Sequence, residues 1–480
     1  MRNAARTALP ALLLLGFSAS AYAERLPGTA IPEHYDLAFD VNLAQARFEG
    51  TETIRVRIPQ PTRRIVLNAF QITFREVVIG RQRADVAVDA QARTATFTVA
   101  SPIPAGPAEI TIRYTGTLND DLRGFYLSQA NGRRYAISQL EATDARRAFP
   151  CFDEPALKAT FTIALTVDRG DTAISNGTLL SDTPGPGAAR HTLRFATTAK
   201  MSTYLVALAV GDFDCVAGAA DRIPIRVCAT RGREDLGRVA LESAEFILHY
   251  YNTYFSIPYP YRKLDLLAVP DFAAGAMENT AAIFFRDTDL LIDSGTASAA
   301  GRKQIAAIIA HEIAHQWFGN LVTMRWWDDL WLNEGFATWM EKRPLQAWKP
   351  DWHMEVDQAL DTQRALSLDS LGSTRAIRSM AETPAEIDES FDAVAYEKGA
   401  AVMRMLEGYV GEDTFRRGIN RYLEAHAYGN VTSEDFWTTL SAVSGKPVDR
   451  ILAPFVTQPG VPIINVSMTC RAGAWSTATD

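Results

Sequence analysis

The sequence has few cysteines, no long apolar segment beyond its N-terminus and no block of like charge. Its four cysteines are Cys151, Cys215, Cys228 and Cys470, and their spacing matches no zinc-binding cysteine pattern. After the first 23 residues, no stretch of about 18 uncharged apolar residues occurs, which excludes a membrane-spanning helix of the usual kind. The net charge of −8 is spread along the chain, so nucleic acid and anionic lipid are not indicated as partners.

The composition is that of a folded protein. Hydrophobic residues make up 47% and charged residues 22% of the 480 residues, and neither internal repeats nor low-complexity segments are present. This length predicts two or three domains.

The first 23 residues have the pattern of a secretory signal peptide. Arg2 and Arg6 precede an apolar run over residues 8–17, and Ala21-Tyr22-Ala23 supplies a small-x-small cleavage site. The segment is too short to be a membrane span. We therefore expect cleavage after Ala23 and an exported protein, periplasmic or secreted, without a membrane span.

Export would place the cysteines in an oxidising compartment. Cys215 and Cys228 flank the segment VAGAADRIPIRV, which is typical of a hairpin. A disulfide between them is expected, with two free buried thiols on neighbouring strands as the alternative.

Residues 24–230 follow a period of two. Stretches such as HYDLAFDVNL, TATFTV and FTIALTV alternate apolar with polar residues and are separated by turn signals rich in proline and glycine. This pattern predicts an N-terminal, mostly antiparallel all-β domain of sandwich type.

Residues 231–455 have helical spacing instead. Apolar residues recur at intervals of three and four in DLGRVALESAEFILHYYNTYF, GRKQIAAIIAHEIAHQWFG, DDLWLNEGFATWMEK, YEKGAAVMRMLEGYV and DTFRRGINRYLEAHA. Between the first two helices, the segment KLDLLAVPDFAAGAMENTAAIFFRDTDLLI predicts a small sheet with GAMEN on a strand or strand end. The predicted fold is multi-domain α+β, with a largely helical second domain.

Residues 456–480 begin like a new strand region and then stop. About 20 residues cannot bury a core of their own, so this segment is interpreted as the start of a truncated or vestigial β domain. Two alternatives remain open, namely a piece of a longer protein and a genuine short form.

The motif HEIAH predicts a metal site. His311 and His315 are four residues apart, so on a helix they project from the same face and can reach one ion. A hydrolytic zinc ion typically takes three protein ligands and leaves one position for water.

Glu334 is the predicted third ligand, because the 18 residues after His315 allow one helix to close and a second to return. Glu312 points about 100° away from His311 around the helix, so it is better placed to take a proton from a zinc-bound water than to bind the ion. The alternatives are two surface histidines beside an ion-pairing glutamate, or an inert zinc site. A structural site, however, would normally be closed by four protein ligands.

Several motifs together resemble one family. Four motifs follow one another in the order and spacing of the zinc aminopeptidase family that contains aminopeptidase N. They are GAMEN, HEIAHQWFGN, WWDDLWLNEGFA and AYEKGA. The earlier stretch QLEATDARRAFPCFDEPALKATF resembles the N-terminal domain signature of the same family. The resemblance covers about residues 24–475 and implies a thermolysin-like catalytic domain with one Zn²⁺ per chain.

The resemblance also implies roles for particular residues. Glu278 of GAMEN would bind the free α-amino group of a peptide substrate, and Glu141 would share it. The backbone of Gly275, Ala276 and Met277 would lie along the peptide, with Asn279 completing the motif.

Two further roles follow from the same resemblance. Gln139 would line the first side-chain pocket, and Tyr396 of AYEKGA would donate a hydrogen bond to the oxyanion of the tetrahedral intermediate. Structural roles stay open for Gln139 and Tyr396, and Glu141 could instead pair with an arginine of the nearby Arg146-Arg147 pair.

Elementary electrostatics agrees with an amine site. A peptide α-amine has a pKa of about 7.7 to 8, and paired carboxylates in a desolvated pocket favour its cationic form. An internal peptide segment has no such cation. The expected function is therefore an exported zinc aminopeptidase that acts on peptides with a free N-terminus.

Two other functions compete with this one. The first is a zinc epoxide hydrolase of the leukotriene-processing branch. That branch typically has Gly-Gly-Met-Glu-Asn where this chain has Ala276, so the peptidase is favoured. The second is an inert binding protein on the same scaffold, although every predicted ligand and catalytic position is intact.

Overall fold

The computed structural model of the protein describes residues 25–463, 465–471 and 474–479. The predicted signal peptide lies outside the described residues. Within these ranges, no helix combines the length and the apolar character needed to cross a membrane.

The first half of the described chain consists of strands. They are β1 (Ile31–Asn42), β2 (Arg47–Ile58), β3 (Thr62–Asn68), β4 (Ile72–Ile79), β5 (Gln82–Arg83), β6 (Asp85–Asp89), β7 (Thr94–Ile103), β8 (Gly106–Thr117), β9 (Gly124–Ala130), β10 (Arg133–Gln139), β11 (Thr160–Asp168), β12 (Thr172–Ser175), β13 (Leu179–Pro184), β14 (Arg190–Phe195) and β15 (Leu208–Gly211).

These strands form three sheets. The largest has the order β13-β14-β11-β1-β2-β8-β4-β5, and smaller sheets have the orders β12-β15-β10-β9 and β3-β7-β6. Neighbouring strands are antiparallel except β1 with β11. The predicted antiparallel β domain is confirmed.

The alternating sequence decides which face of each strand is buried. In β2, every second residue from Phe48 to Ile58 is buried, including Ile54 and Val56, and the alternate residues are half-buried or exposed. Aromatic rings join the strands in this core, as where Tyr35 stacks on Phe161 with centroids 4.8 Å apart.

The second half mixes helices with short strands. Its elements are β16 (Phe213–Ala220), β17 (Ile223–Thr230), α1 (Arg238–Tyr254), β18 (Leu264–Val269), β19 (Ala276–Met277), β20 (Ala282–Arg286), α2 (Ala299–His315), β21 (Thr323–Met324), α3 (Trp331–Trp348), α4 (Met354–Asp369), α5 (Pro384–Glu389), a π-helical turn (Val394–Lys398), α6 (Gly399–Val410), α7 (Glu412–His426), β22 (Asn430–Val431), α8 (Ser433–Ser444), α9 (Val448–Thr457), β23 (Val466–Arg471) and β24 (Ala474–Thr479).

One sheet of this half has the order β16-β17-β18-β20-β19. GAMEN supplies β19, an edge strand, in agreement with the prediction from sequence. The hairpin β16-β17 joins the same sheet through a parallel pairing of β17 with β18. The boundary predicted at residue 230 therefore falls inside a sheet, because strand alternation does not tell which sheet a strand will join.

The hairpin carries the expected disulfide. Cys215 and Cys228 occupy paired positions on β16 and β17, and their sulfur atoms are 2.05 Å apart. Cys151 is a buried free thiol in the β domain.

Two buried helices form the centre of the second half. Ser298 caps α2 by accepting a hydrogen bond from the Gly301 amide at 3.0 Å. Trp331 to Met340 of α3 are all buried, as expected for a helix surrounded by other elements. All five predicted helices are present, and α4, α5, α8 and α9 accompany them.

Gly335 lets α3 approach the start of α6. A Cβ placed at Gly335 would be 3.2 Å from both the Ala395 carbonyl oxygen and the Gly399 Cα, so these backbone atoms would have to move by a few tenths of an ångström to admit a side chain. The segment that it contacts carries Tyr396. Gly335 therefore places α3 directly against the segment that contains Tyr396.

We expect Gly335→Ala to lower the free energy of unfolding by about 1–3 kcal/mol, since filling a tight contact forces backbone to move. Gly408→Ala is the matched control, because Gly408 lies in α6 with no atom within 4 Å of the added Cβ. Gly408→Ala should raise the free energy of unfolding by about 0.5–1 kcal/mol. Denaturant unfolding measures both, and a stabilised Gly335→Ala variant would contradict the tight contact.

Candidate metal and amine site

Helices α2 and α3 bring the three predicted metal ligands together. The Nε2 atoms of His311 and His315 are 3.0 Å apart, and each lies 3.3 Å from Oε2 of Glu334. His315 and Glu334 are almost fully buried, and His311 is partly exposed. The spacing of HEIAH on one helical face therefore places both imidazoles opposite the carboxylate of the next helix.

The outer nitrogen of each imidazole has its own acceptor. Nδ1 of His311 donates to Oε2 of Glu341 at 2.9 Å, and Nδ1 of His315 donates to the Phe318 carbonyl at 2.9 Å. These bonds fix the ring orientations and leave both Nε2 atoms facing Glu334. Metal-binding histidines typically have such partners.

This arrangement fits a metal ion. Ligand atoms about 2.0–2.1 Å from a tetrahedral zinc ion are about 3.3 Å from one another, close to the separations found here. The charge of the site agrees, because burial alone would lower the pKa of His315, whereas Glu334 and Glu278 raise it to about 9. The cluster of His311, His315 and Glu334 therefore favours a positive charge at the position between these three side chains.

Glu312 lies next to the ligand cluster without belonging to it. Its side chain is buried, and Oε2 has no hydrogen-bond partner within the described chain. Burial raises the pKa of Glu312 to about 8, although the neighbouring imidazoles oppose the shift. The carboxylate is therefore free to exchange a proton with a small molecule at the site.

GAMEN is held by hydrogen bonds to neighbouring segments. The Gly275 carbonyl accepts from the Arg286 amide at 2.8 Å, and Ala276 and Met277 pair with β20. The Glu278 carbonyl accepts from Gln316 Nε2 at 3.1 Å and from Asn320 Nδ2 at 2.9 Å. The strand is thus tied to the residues that follow the metal helix.

The side chain of Glu278 meets a second acid from the β domain. Carboxylate oxygens of Glu141, Glu278 and Glu334 lie within 4.8 Å of one another. Oε1 of Glu141 and Oε1 of Glu278 are buried without a hydrogen-bond partner among the described residues. Burial, and then the neighbouring acids, raise the pKa of Glu141 well above its usual range.

The arginine alternative for Glu141 is not found. Arg146 pairs with Asp153 at 2.9 Å and Arg147 pairs with Asp144 at 2.6 Å. Within the described residues, no ion pair includes Glu141. A cation is therefore the group that would relieve the repulsion between Glu141 and Glu278.

The remaining predicted residues surround these two clusters. Gln139, at the end of β10, donates to the Met277 sulfur at 3.5 Å. The ring of Tyr396 stacks on His311 with centroids 6.0 Å apart, and burial raises the pKa of its hydroxyl, which therefore stays protonated. Asn279 is fully buried and donates to the Val206 carbonyl at 3.2 Å, which joins the two halves of the chain.

Glu341 was not predicted from the sequence. It follows Glu334 by seven residues and so lies two turns further along the same face of α3, which is the signal that could have revealed it. Lys342 holds it in place, since Nζ lies 2.6 Å from Oε1 of Glu341 and 2.7 Å from Oδ2 of Asp361.

An HExxH helix is typical of metallopeptidases, in which its two histidines bind zinc and its glutamate acts as general base. The Peptidase family M1 domain matches residues 239–455, and the Peptidase M1 N-terminal domain matches residues 31–205. The chain belongs to peptidase family M1.

Named relatives agree with this family. Aminopeptidase 2 of Candida albicans is 40% identical over 450 residues, covering 92% of this chain and 49% of the relative. Aminopeptidase M1 of Arabidopsis thaliana is 38% identical over 458 residues, covering 92% and 52%. "Aminopeptidase 2, mitochondrial" of Saccharomyces cerevisiae is 39% identical over 456 residues, covering 92% and 48%. The chain spans about half the length of the curated relatives it matches.

The predicted localisation is corrected by these relatives. One of them is named for mitochondria, and the names of the other two refer to no export. The prediction of a periplasmic or secreted protein is therefore wrong. Its basis was weak because arginines, serines and an absence of acids, as in residues 1–23, are also typical of organelle transit peptides.

We expect Glu341→Gln to weaken zinc binding by about 10- to 100-fold, because the His311 ring loses its charged acceptor. Competition with a fluorescent chelator measures the affinity without any activity assay. Glu412→Gln is the control, since Glu412 is exposed and contacts Arg343 away from the histidines. Unchanged zinc affinity in Glu341→Gln would contradict the assigned contact.

Proposed function

We propose that the protein is a zinc-dependent aminopeptidase, which hydrolyses the first peptide bond of peptides with a free N-terminus. One observation carries the proposal: carboxylate oxygens of the half-buried Glu141 and the buried Glu278 lie within 4.8 Å of the metal-ligand candidate Glu334. A cation-binding pocket directly beside a metal site would hold the substrate's amine close to the bond to be broken. The relatives named aminopeptidases support the same reaction.

His311, His315 and Glu334 would hold the zinc ion. When bound, zinc acts as a Lewis acid that lowers the pKa of water towards about 7 and polarises a carbonyl group. The remaining steps belong to side chains of this chain.

Glu312 is the proposed general base. Its unpartnered carboxylate oxygen can accept the proton of the attacking water and then return it to the leaving amine. The same residue therefore acts in both halves of the reaction.

Glu278 and Glu141 are proposed to bind the α-ammonium group of the substrate. Burial raises the pKa values of both carboxyls, assisted by Glu278 in the case of Glu141 and by Glu334 in the case of Glu278. An ammonium group favours the ionised carboxylates, so binding energy is available to a free N-terminus and not to an internal peptide segment.

The edge strand β19 would guide the peptide. Gly275, Ala276 and Met277 lie at the end of their sheet, where one side of β19 pairs with β20 and the other has no strand partner among the described residues. An extended peptide can add to such an edge through backbone hydrogen bonds. Gln139, in contact with Met277, would line the pocket for the first side chain.

Tyr396 would stabilise the oxyanion that develops during attack. Its hydroxyl stays protonated because burial and the nearby acids raise its pKa. The stacking of its ring on His311 keeps the phenol beside the metal ligands. A donor held in advance lowers the barrier without reorganisation.

We expect the purified chain to cleave L-alanine 4-nitroanilide and to leave the N-acetylated compound intact. Chelation should abolish turnover, and added zinc should restore it. Glu278→Gln should lower kcat/KM for the free amine by about 100-fold or more, since a buried charge pair is broken. Glu389→Gln, at an exposed glutamate of α5, is the matched control. Equal cleavage of L-alanine 4-nitroanilide and its N-acetylated form would contradict the aminopeptidase proposal.

We expect Tyr396→Phe to lower kcat by about 10²- to 10³-fold, with little change in KM, because the lost hydrogen bond forms only as charge develops. Tyr409→Phe removes a hydroxyl from an exposed residue of α6 and serves as the control. Steady-state kinetics with L-alanine 4-nitroanilide measures kcat and KM for both variants. A variant with unchanged kcat would exclude Tyr396 from the reaction.

A further inference from the structure

The turn after the metal helix contacts both halves of the proposed site. At its start, the Phe318 carbonyl accepts the hydrogen bond from Nδ1 of His315 at 2.9 Å. Two residues later, Asn320 Nδ2 donates to the Glu278 carbonyl at 2.9 Å. Residues 318–321, which we term the linking turn, therefore set the position of the amine-binding strand relative to the metal ligands.

The β domain holds the linking turn at two places. The Tyr204 hydroxyl donates to the Gly319 carbonyl at 3.2 Å. Nζ of Lys158, just ahead of β11, donates to the carbonyls of Asn320 and Leu321 at 3.1 and 3.3 Å. Both contacts join residues more than 110 positions apart in the chain.

Lys158 is buried in an unusual way. Its side chain is 3% exposed, and within the described residues no carboxylate lies within ion-pair distance of Nζ. Burial, assisted by Lys200, lowers its pKa to about 7. An apolar side chain of similar volume would avoid this desolvation cost, so stability alone does not explain an ammonium group here.

We propose that Lys158 is a positioning residue for amine recognition, which fixes the linking turn from the β domain and thereby the distance between Glu278 and the metal ligands. The inference rests on the proposed aminopeptidase function. Lys158 contacts neither the substrate nor the metal in this proposal. Its effect passes through the Asn320 backbone and the Asn320 side chain to Glu278.

The chemistry of an exopeptidase makes this distance critical. In the first residue of a peptide, the α-nitrogen and the carbonyl carbon are only about 2.5 Å apart, because two covalent bonds join them. The amine pocket and the metal site must therefore keep a fixed separation. A displacement of about 1 Å can cost on the order of 100-fold in rate.

The test is the split between KM and kcat in Lys158→Met, which removes the ammonium and keeps the stem. We expect KM for L-alanine 4-nitroanilide to rise by about tenfold, the scale of a lost hydrogen bond to a charged group, with a smaller change in kcat. Zinc content should stay at one per chain. Lys158→Arg should recover part of the loss, and Lys200→Met, at an exposed lysine nearby, should match the wild type.

Binding of L-alaninamide, followed by calorimetry, gives a second readout that needs no turnover. It should weaken in Lys158→Met by the same factor as KM rises. If Lys158→Met does not fold, Lys158→Gln keeps a neutral donor and should give an intermediate effect.

Two outcomes would overturn the inference. One is an unchanged KM and an unchanged affinity for L-alaninamide in the folded variants. The other is a joint loss of kcat, zinc content and melting temperature that Lys158→Arg does not recover, since that describes a purely structural lysine. Failure of the aminopeptidase proposal itself is visible separately, as cleavage of acetylated substrate by the wild-type protein.

Discussion

Negative charge concentrated at the candidate site is the constraint on which the rest of this structure depends. Burial and the neighbouring acids raise the pKa values of Glu141, Glu278 and Glu312. Against the effect of burial, the two imidazoles lower the pKa of Glu334 to about 2. Such a cluster is stable only when cations or protons enter it. A metal ion between the histidines and Glu334 and an ammonium group at Glu278 would supply those charges. The affinity of the site for its ligands and its instability without them have the same origin.

The two halves of the chain contribute different parts of this site. The helical half supplies the proposed metal ligands and Glu312, on two largely buried helices. The β half supplies Gln139 and Glu141 at the end of β10, and holds the linking turn through Tyr204 and Lys158. Because Glu141 and Glu278 come from different halves, the packing of one half against the other determines the geometry of the proposed amine pocket.

Prediction succeeded where neighbours along the chain decide the geometry. His311 and His315 share a helical face whatever surrounds the helix, and GAMEN forms a strand because its flanking residues are apolar and aromatic. Prediction was less complete where distant contacts decide. Glu341 becomes a histidine partner only when α3 packs on α2, and the hairpin β16-β17 joins the sheet of the second half although its alternation resembles that of the first. The export prediction depended on N-terminal composition alone, which the relatives contradict.

Local spacing alone therefore predicted the class of chemistry, since an HExxH helix followed by a glutamate is typical of a metal site. Tertiary structure decided which acids lie beside the proposed metal ligands. Glu141 and Glu278 lie close together although they are 137 residues apart in the sequence. The hydrogen bond from Lys158 to the Asn320 carbonyl joins residues 162 positions apart. Such long-range contacts cannot be predicted from the periodicity of the sequence, because they depend on how whole sheets and helices pack. The proposed metal ligands are therefore readable from the sequence, whereas only the fold places Glu141 and Glu278 beside them.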